Sequence, residues 1–210
     1  MSAWSVTEQV AAARRVLTTV LFTDIVGSTA HVTRLGDRVW SDLVDAHHAC
    51  FREALVGAGG REVDAAGDGF LATFDSPSSG VGCAQELVER VRDLGLEVRA
   101  GLHTGECQRV GESVRGLAVH IGARVAAVAR PSEILVSGTV RDLVEGGEIV
   151  LEDRGLHELR GIAGVRRLFA VVPTRVARMG VRPHGRSAAG VSRRVRRPLA
   201  PALHEAVDTT

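Results

Sequence analysis

Apolar positions along the chain change their period several times, and each change marks an element. Residues 16–23 are a nearly continuous β-branched run, which predicts a buried strand. Ser28 is placed as the N-cap of a first short helix. From Asp37 to about Val56 the apolar residues recur as Val39/Trp40, Leu43/Val44, Cys50/Phe51 and Leu55, a helical stripe that Gly57-Ala-Gly-Gly60 ends. Residues 61–66 and 70–74 read as two strands joined by Gly67-Asp68-Gly69, since an Asp-Gly pair between apolar runs signals a hairpin. Ser76-Pro77 opens a helix to about Asp93, and a strand follows at residues 97–103. A glycine-bearing connection at 104–116 leads to a helix at 117–129, a short strand at 133–136 and a brief helix at 139–144. Strands near residues 149–151, 157–159 and 167–172 complete the pattern. This order predicts an α+β fold, with helices packed on a mainly antiparallel sheet.

Composition adds limits. The chain has 210 residues, 45% of them apolar and 24% charged, as in an ordinary globular domain. No apolar run reaches the ~20 residues that span a bilayer, so no membrane span is expected. The first residues lack the basic and apolar regions of a signal peptide, and Cys50, Cys83 and Cys107 have neither disulfide-framework nor zinc spacing. A cytoplasmic location is the expectation. Through residue 173 there are 18 arginines against 23 acids, and from residue 174 onward 8 against 2, with no lysine anywhere. Residues 1–15 are read as a helical lead-in, 16–173 as one folded domain and 174–210 as an Arg/Pro-rich disordered tail. That tail interleaves no aromatic residues for base stacking, so no nucleic-acid partner is expected.

Two acids stand out against this background. Asp24 ends the first apolar run and precedes Gly27-Ser-Thr29, while Asp68 sits between two glycines at the hairpin. Carboxylates held at strand ends beside a glycine-bearing turn suit hard divalent cations set against a triphosphate. His47-His48 is read as the solvent edge of a helix and His103 as a strand-end packing residue.

The chain carries, in this order, Phe22-Thr-Asp-Ile-Val-Gly-Ser-Thr29, Gly67-Asp-Gly-Phe70, Val98-Arg-Ala-Gly-Leu-His-Thr-Gly-Glu106, Val119-His-Ile-Gly-Ala-Arg-Val125, Ser132-Glu-Ile-Leu-Val-Ser137 and Leu159-Arg-Gly161. In these motifs and their order it resembles the class III nucleotidyl cyclase catalytic domain, which makes cyclic AMP or cyclic GMP, and that resemblance carries several implications. It implies a ferredoxin-like sheet and a homodimer whose active sites are shared between two chains. It further implies two Mg²⁺ or Mn²⁺ ions held by Asp24, Asp68 and the Ile25 carbonyl, and a triphosphate held by backbone N–H groups around Gly27, Ser28 and Thr29. Arg124 matches the arginine that stabilises charge developing at the α-phosphate, and Arg160 stands where a triphosphate-binding lysine is usual.

Three positions depart from the family pattern. Asp64 occupies the place of the base-reading lysine, Ser113 that of its partner, and His120 that of the ribose-orienting asparagine. Guanine O6 would be repelled by Asp64, whereas the adenine amine could donate to Asp64 or Ser113, so ATP is the expected substrate. A neutral His120 can donate one hydrogen bond as the asparagine does, and reduced turnover is expected. The alternative is a weak or inactive cyclase-homology module that binds nucleotide or a partner. A diguanylate cyclase or polymerase-palm relative is disfavoured, because the acidic hairpin of the former is missing and Arg124 has no role there.

Overall fold

The computed structural model describes residues 14–173, so the lead-in before residue 14 and the tail from residue 174 lie outside the described residues. Strand β1 (Arg14–Ile25) starts earlier than its apolar run, and Arg14 and Arg15, read as the end of the lead-in, are its first residues. Helices α1 (Ser28–Leu35) and α2 (Asp37–Gly57) follow, then strands β2 (Arg61–Ala66) and β3 (Gly69–Phe74). Helix α3 (Pro77–Arg92) begins on its proline, where a missing N–H costs nothing. Next come strands β4 (Val98–Val110) and β5 (Ser113–Arg115), helix α4 (Leu117–Val128), strand β6 (Ile134–Ser137) and helix α5 (Gly138–Leu143). Strands β7 (Leu151–Glu158) and β8 (Val165–Val171) close the described region.

The strands form a single sheet in the order β2-β3-β1-β4-β6-β8-β7, with β5 paired to β4. Its first four strands are antiparallel throughout, with β1 in the middle between β3 and β4. Helices connect β1 to β2 and β3 to β4, which is the split β-α-β arrangement of a ferredoxin-like fold. Only β4 and β6 pair in parallel, across the α4 connection.

Two expectations change. The supposed connection at residues 104–116 is largely strand, because β4 runs on to Val110 and pairs residue for residue with the Arg14–Thr18 half of β1. The three expected C-terminal strands are two, β7 and β8, joined in a hairpin with a register shift between Asp153 and Leu156.

Helices cover both faces of the sheet. On one face Phe51, Ala54 and Leu55 of α2, the Val81–Val91 stripe of α3 and Val140 of α5 enclose a core with Leu21, Phe74, Leu102 and Val136. On the other, α4 buries Ala118, Ile121, Gly122, Val125 and Ala126, a spacing that puts all five on one helical side. Small residues let it lie close: a Cβ at Gly101 would come 2.1 Å from the Ala126 backbone nitrogen, and one at Gly122 would come 2.6 Å from Val20 Cγ2. At the margin of α4, Phe22, whose ring lies 3.3 Å from where a Gly122 Cβ would sit, is only partly buried, as are Val63 and Leu71. No helix among the described residues is long and apolar enough to cross a membrane.

Candidate active site

The end of β1 and the β2–β3 turn meet because Thr23 pairs with Phe70. Ala66 pairs with Gly69, so the turn consists of two residues, Gly67 and Asp68. Gly67 has φ of 62°, which a glycine adopts without cost. Gly69 serves a different need. A Cβ there would lie 3.1 Å from the Thr23 carbonyl oxygen and 3.8 Å from Asp24 Oδ1, so its missing side chain lets the Asp24 strand approach the Asp68 turn.

Around this junction oxygen atoms converge. The Ser28 hydroxyl lies 3.1 Å from the Ile25 carbonyl oxygen and also touches the Asp68 carboxylate. Its single hydrogen can go to only one of them. Ser28 is thus not the N-cap: Gly27, at φ 70°, holds that position, and Ser28 is the first helical residue with its side chain turned toward Asp68. The early N–H groups of α1 have no intrahelical acceptor, and Gly27 and Thr29 are exposed.

Asp24 has a partner the sequence reading did not single out. Arg99, its register mate on β4, places Nε 3.0 Å and a terminal nitrogen 2.5 Å from Oδ2, which leaves Oδ1 free on the Gly69 side. Both side chains are about a third exposed. The available ligands are two carboxylates, a backbone carbonyl and a hydroxyl. Among the described residues no group of three or more His, Cys, Asp or Glu side chains converges on a metal position. An all-oxygen set with few protein ligands fits a Mg²⁺- or Mn²⁺-type ion that keeps positions for water and phosphate, and does not fit zinc.

The other candidates make no hydrogen bond or ion pair with this junction among the described residues. Arg124 is exposed on α4, and its Nε donates to the Arg160 carbonyl oxygen at 3.1 Å. Arg160, in the turn after β7, is exposed as well, and His120 lies exposed one helical turn before Arg124. No hydrogen bond or ion pair among the described residues joins Arg124 or Arg160 to Asp24 or Asp68. Asp64 is exposed on β2 opposite Leu71, beside a register irregularity, and Ser113 is exposed at the start of β5 opposite Val110.

The histidines divide differently from the expectation. His47 is fully buried rather than at a solvent edge, and neither ring nitrogen has a partner. Burial pushes its imidazole down to about 4, His48 adds to the fall and Asp68 opposes it. His48 is partly exposed and lies on the Asp68 turn, with Nε2 3.0 Å from the Gly67 carbonyl oxygen. His103 is buried as a packing residue, with Nδ1 2.8 Å from Ser137 Oγ. Burial and then the Arg166 charge push it down to about 4.

Comparison with known proteins gives a consistent picture. The family described as adenylate and guanylate cyclase catalytic domain matches residues 10–172. An uncharacterised Mycobacterium tuberculosis protein is 35% identical over 99 residues, 46% of this chain and 34% of its own. A Rhizobium meliloti protein provisionally named adenylate cyclase 3 is 30% identical over 159 residues, 71% of this chain and 27% of its own. The chain therefore spans about a third or less of the length of these curated relatives. The crystal structure of the adenylyl cyclase CyaB from P. aeruginosa superposes with a TM-score of 0.69 at 22% identity, covering 78% of this chain and 97% of that one.

Proposed function

Because the chain belongs to the adenylate and guanylate cyclase catalytic domain family, we propose that it converts ATP to 3′,5′-cyclic AMP and pyrophosphate at sites shared by two copies of the chain. The observation that carries this reading is the meeting of Asp68, Ser28 and the Ile25 carbonyl beside Asp24. Asp24, Ile25 and Asp68 would hold two divalent cations, Mg²⁺ or Mn²⁺. Bound there, these supply Lewis acidity to the ribose 3′-hydroxyl and shield the phosphates.

The protein supplies the rest. N–H groups at Gly27, Ser28 and Thr29 hold the triphosphate at a helix N-terminus. Arg124 and Arg160 bring positive charge to the phosphates. Arg124 is aimed by its bond to the Arg160 carbonyl, so the two act as one unit. His120 orients the ribose from the same helical side as Arg124. Asp64 and Ser113 face solvent and are free to meet a base. Asp64 can accept from the adenine amine and repels guanine O6, while guanine N1–H and N2–H₂ are donors as well, so the ratio of cyclic AMP to cyclic GMP measures the base choice.

Pairing of two chains is supported by the lack, among the described residues, of any hydrogen bond or ion pair joining Asp24 or Asp68 to Arg124 or Arg160. It is also supported by the half-covered apolar face of Phe22, Val63 and Leu71, which a second copy would bury. A direct assay decides the reaction. Purified protein incubated with ATP or GTP and Mn²⁺ or Mg²⁺ is expected to yield cyclic AMP in preference to cyclic GMP. Product no greater than that of an Asp68→Ala chain sinks the reading, and preferential cyclic GMP formation sinks the base assignment alone.

A further inference from the structure

Helix α2 grips the turn that carries Asp68 at two places. Phe70 stacks on Phe51 with ring centres 3.9 Å apart and planes within 9°, and the His48 ring meets Phe70 edge-on at 4.8 Å. Arg52 caps the same ring at 5.9 Å while pairing with Glu62 through two nitrogens. The second place is the bond between His48 Nε2 and the Gly67 carbonyl at 3.0 Å. A carbonyl only accepts, so Nε2 carries the hydrogen.

That carbonyl belongs to the peptide between the two turn residues, outside the strand ladder that resumes with the Ala66–Gly69 pair. Rotation of this central peptide is what interconverts the two tight hairpin turns, types I′ and II′. Gly67 has positive φ, whereas Ser132 is the only non-glycine residue with positive φ among those described, so the turn follows the II′ pattern at Asp68. In the alternative turn Asp68 would need a positive φ, and its carboxylate would leave the position it holds beside Ser28.

We propose that His48 is a positioning residue for Asp68, its Nε2–H fixing the Gly67–Asp68 peptide and thereby the direction of the carboxylate. The proposal rests on the metal-binding reading of Asp24 and Asp68. It adds to that reading a residue on a different element, whose own atoms touch neither substrate nor metal.

The test separates the donor from the ring. His48→Phe keeps an aromatic edge on Phe70 and removes the N–H, while His48→Gln returns an amide N–H without the ring. Mn²⁺ binding to the full chain is followed by electron paramagnetic resonance of the free ion, with and without a non-cyclisable ATP analogue, alongside turnover and thermal midpoint. His48→Phe is expected to weaken Mn²⁺ binding about tenfold, the usual effect of losing a residue that orients a metal ligand. It should lower kcat more than it changes the KM for ATP, with the thermal midpoint little altered, and His48→Gln should recover most of the lost affinity. Unchanged Mn²⁺ affinity in His48→Phe overturns the proposal, as does a His48→Gln chain no better than His48→Phe. Mn²⁺ binding that depends on His48 in a protein making no cyclic nucleotide supports the positioning role and overturns the cyclisation reading instead.

Discussion

His47 illustrates how one side chain can set the acid limit of this protein. In an unfolded chain it takes up a proton near pH 6.5, but in the folded protein only near 4. Between these values the unfolded state binds more protons, so stability is complete above pH 6.5 and falls as the pH drops through 4. His103, shifted in the same direction, adds to the loss. His47→Phe, which also removes two unpartnered ring nitrogens, is expected to raise stability at pH 5 by on the order of 1–3 kcal/mol. The gain should be smaller at pH 7.5, and urea unfolding at the two pH values measures the difference. At this scale the sequence exposed Asp24 and Asp68, because each stands at a break in an apolar run next to glycine. It did not expose Arg99 or His48. Arg99 matters through its register opposite Asp24, and His48 through a helix passing over a turn, and neither is written in local spacing.

Among the elements, α4 is the most tightly constrained. Its place over β1 and β4 depends on glycine at 101, where a methyl group would meet backbone rather than a yielding side chain. Gly101→Ala is expected to destabilise the fold by about 1–3 kcal/mol. It should also cut turnover in the surviving folded protein, since α4 carries Arg124 and His120. Chemical denaturation and an activity assay on the same preparation check both effects. Helix α2 was legible because its apolar residues recur at helical spacing, and α3 because Ser76-Pro77 opens it. The far half of β4 was not. Gly105 within it and Gly111 just past its end resemble loop punctuation, although Glu106, Cys107 and Gln108 alternate exposed, buried and exposed as a strand should. What makes it a strand is the first half of β1, more than 80 residues earlier in the chain.

For the whole molecule, the proposal that Asp24 and Asp68 of one chain work with Arg124 and Arg160 of another leads to a complementation test. Chains carrying Asp68→Ala or Arg124→Ala should each be nearly inactive alone. Mixed in equal amounts and allowed to exchange, half of the dimers contain one intact site of two, so about a quarter of wild-type turnover should return. No recovery, despite subunit exchange shown by differently tagged chains, rules out sites shared in this way. The antiparallel sheet and its helices were legible from element order, and the strand order, with β1 between β3 and β4, is the one that the ferredoxin-like resemblance implies. That order has a further consequence, during synthesis. Strand β1 is made first, yet both of its neighbours come later, so its apolar run waits unpaired while translation proceeds to β3 and then β4. At roughly 5–20 residues per second this interval lasts seconds, in which the run from Val16 to Ile25 can pair with other chains. The strand that carries Asp24 is therefore a place where a nascent chain is open to misassembly, and slowing translation between β1 and β3 should lower the yield of native protein.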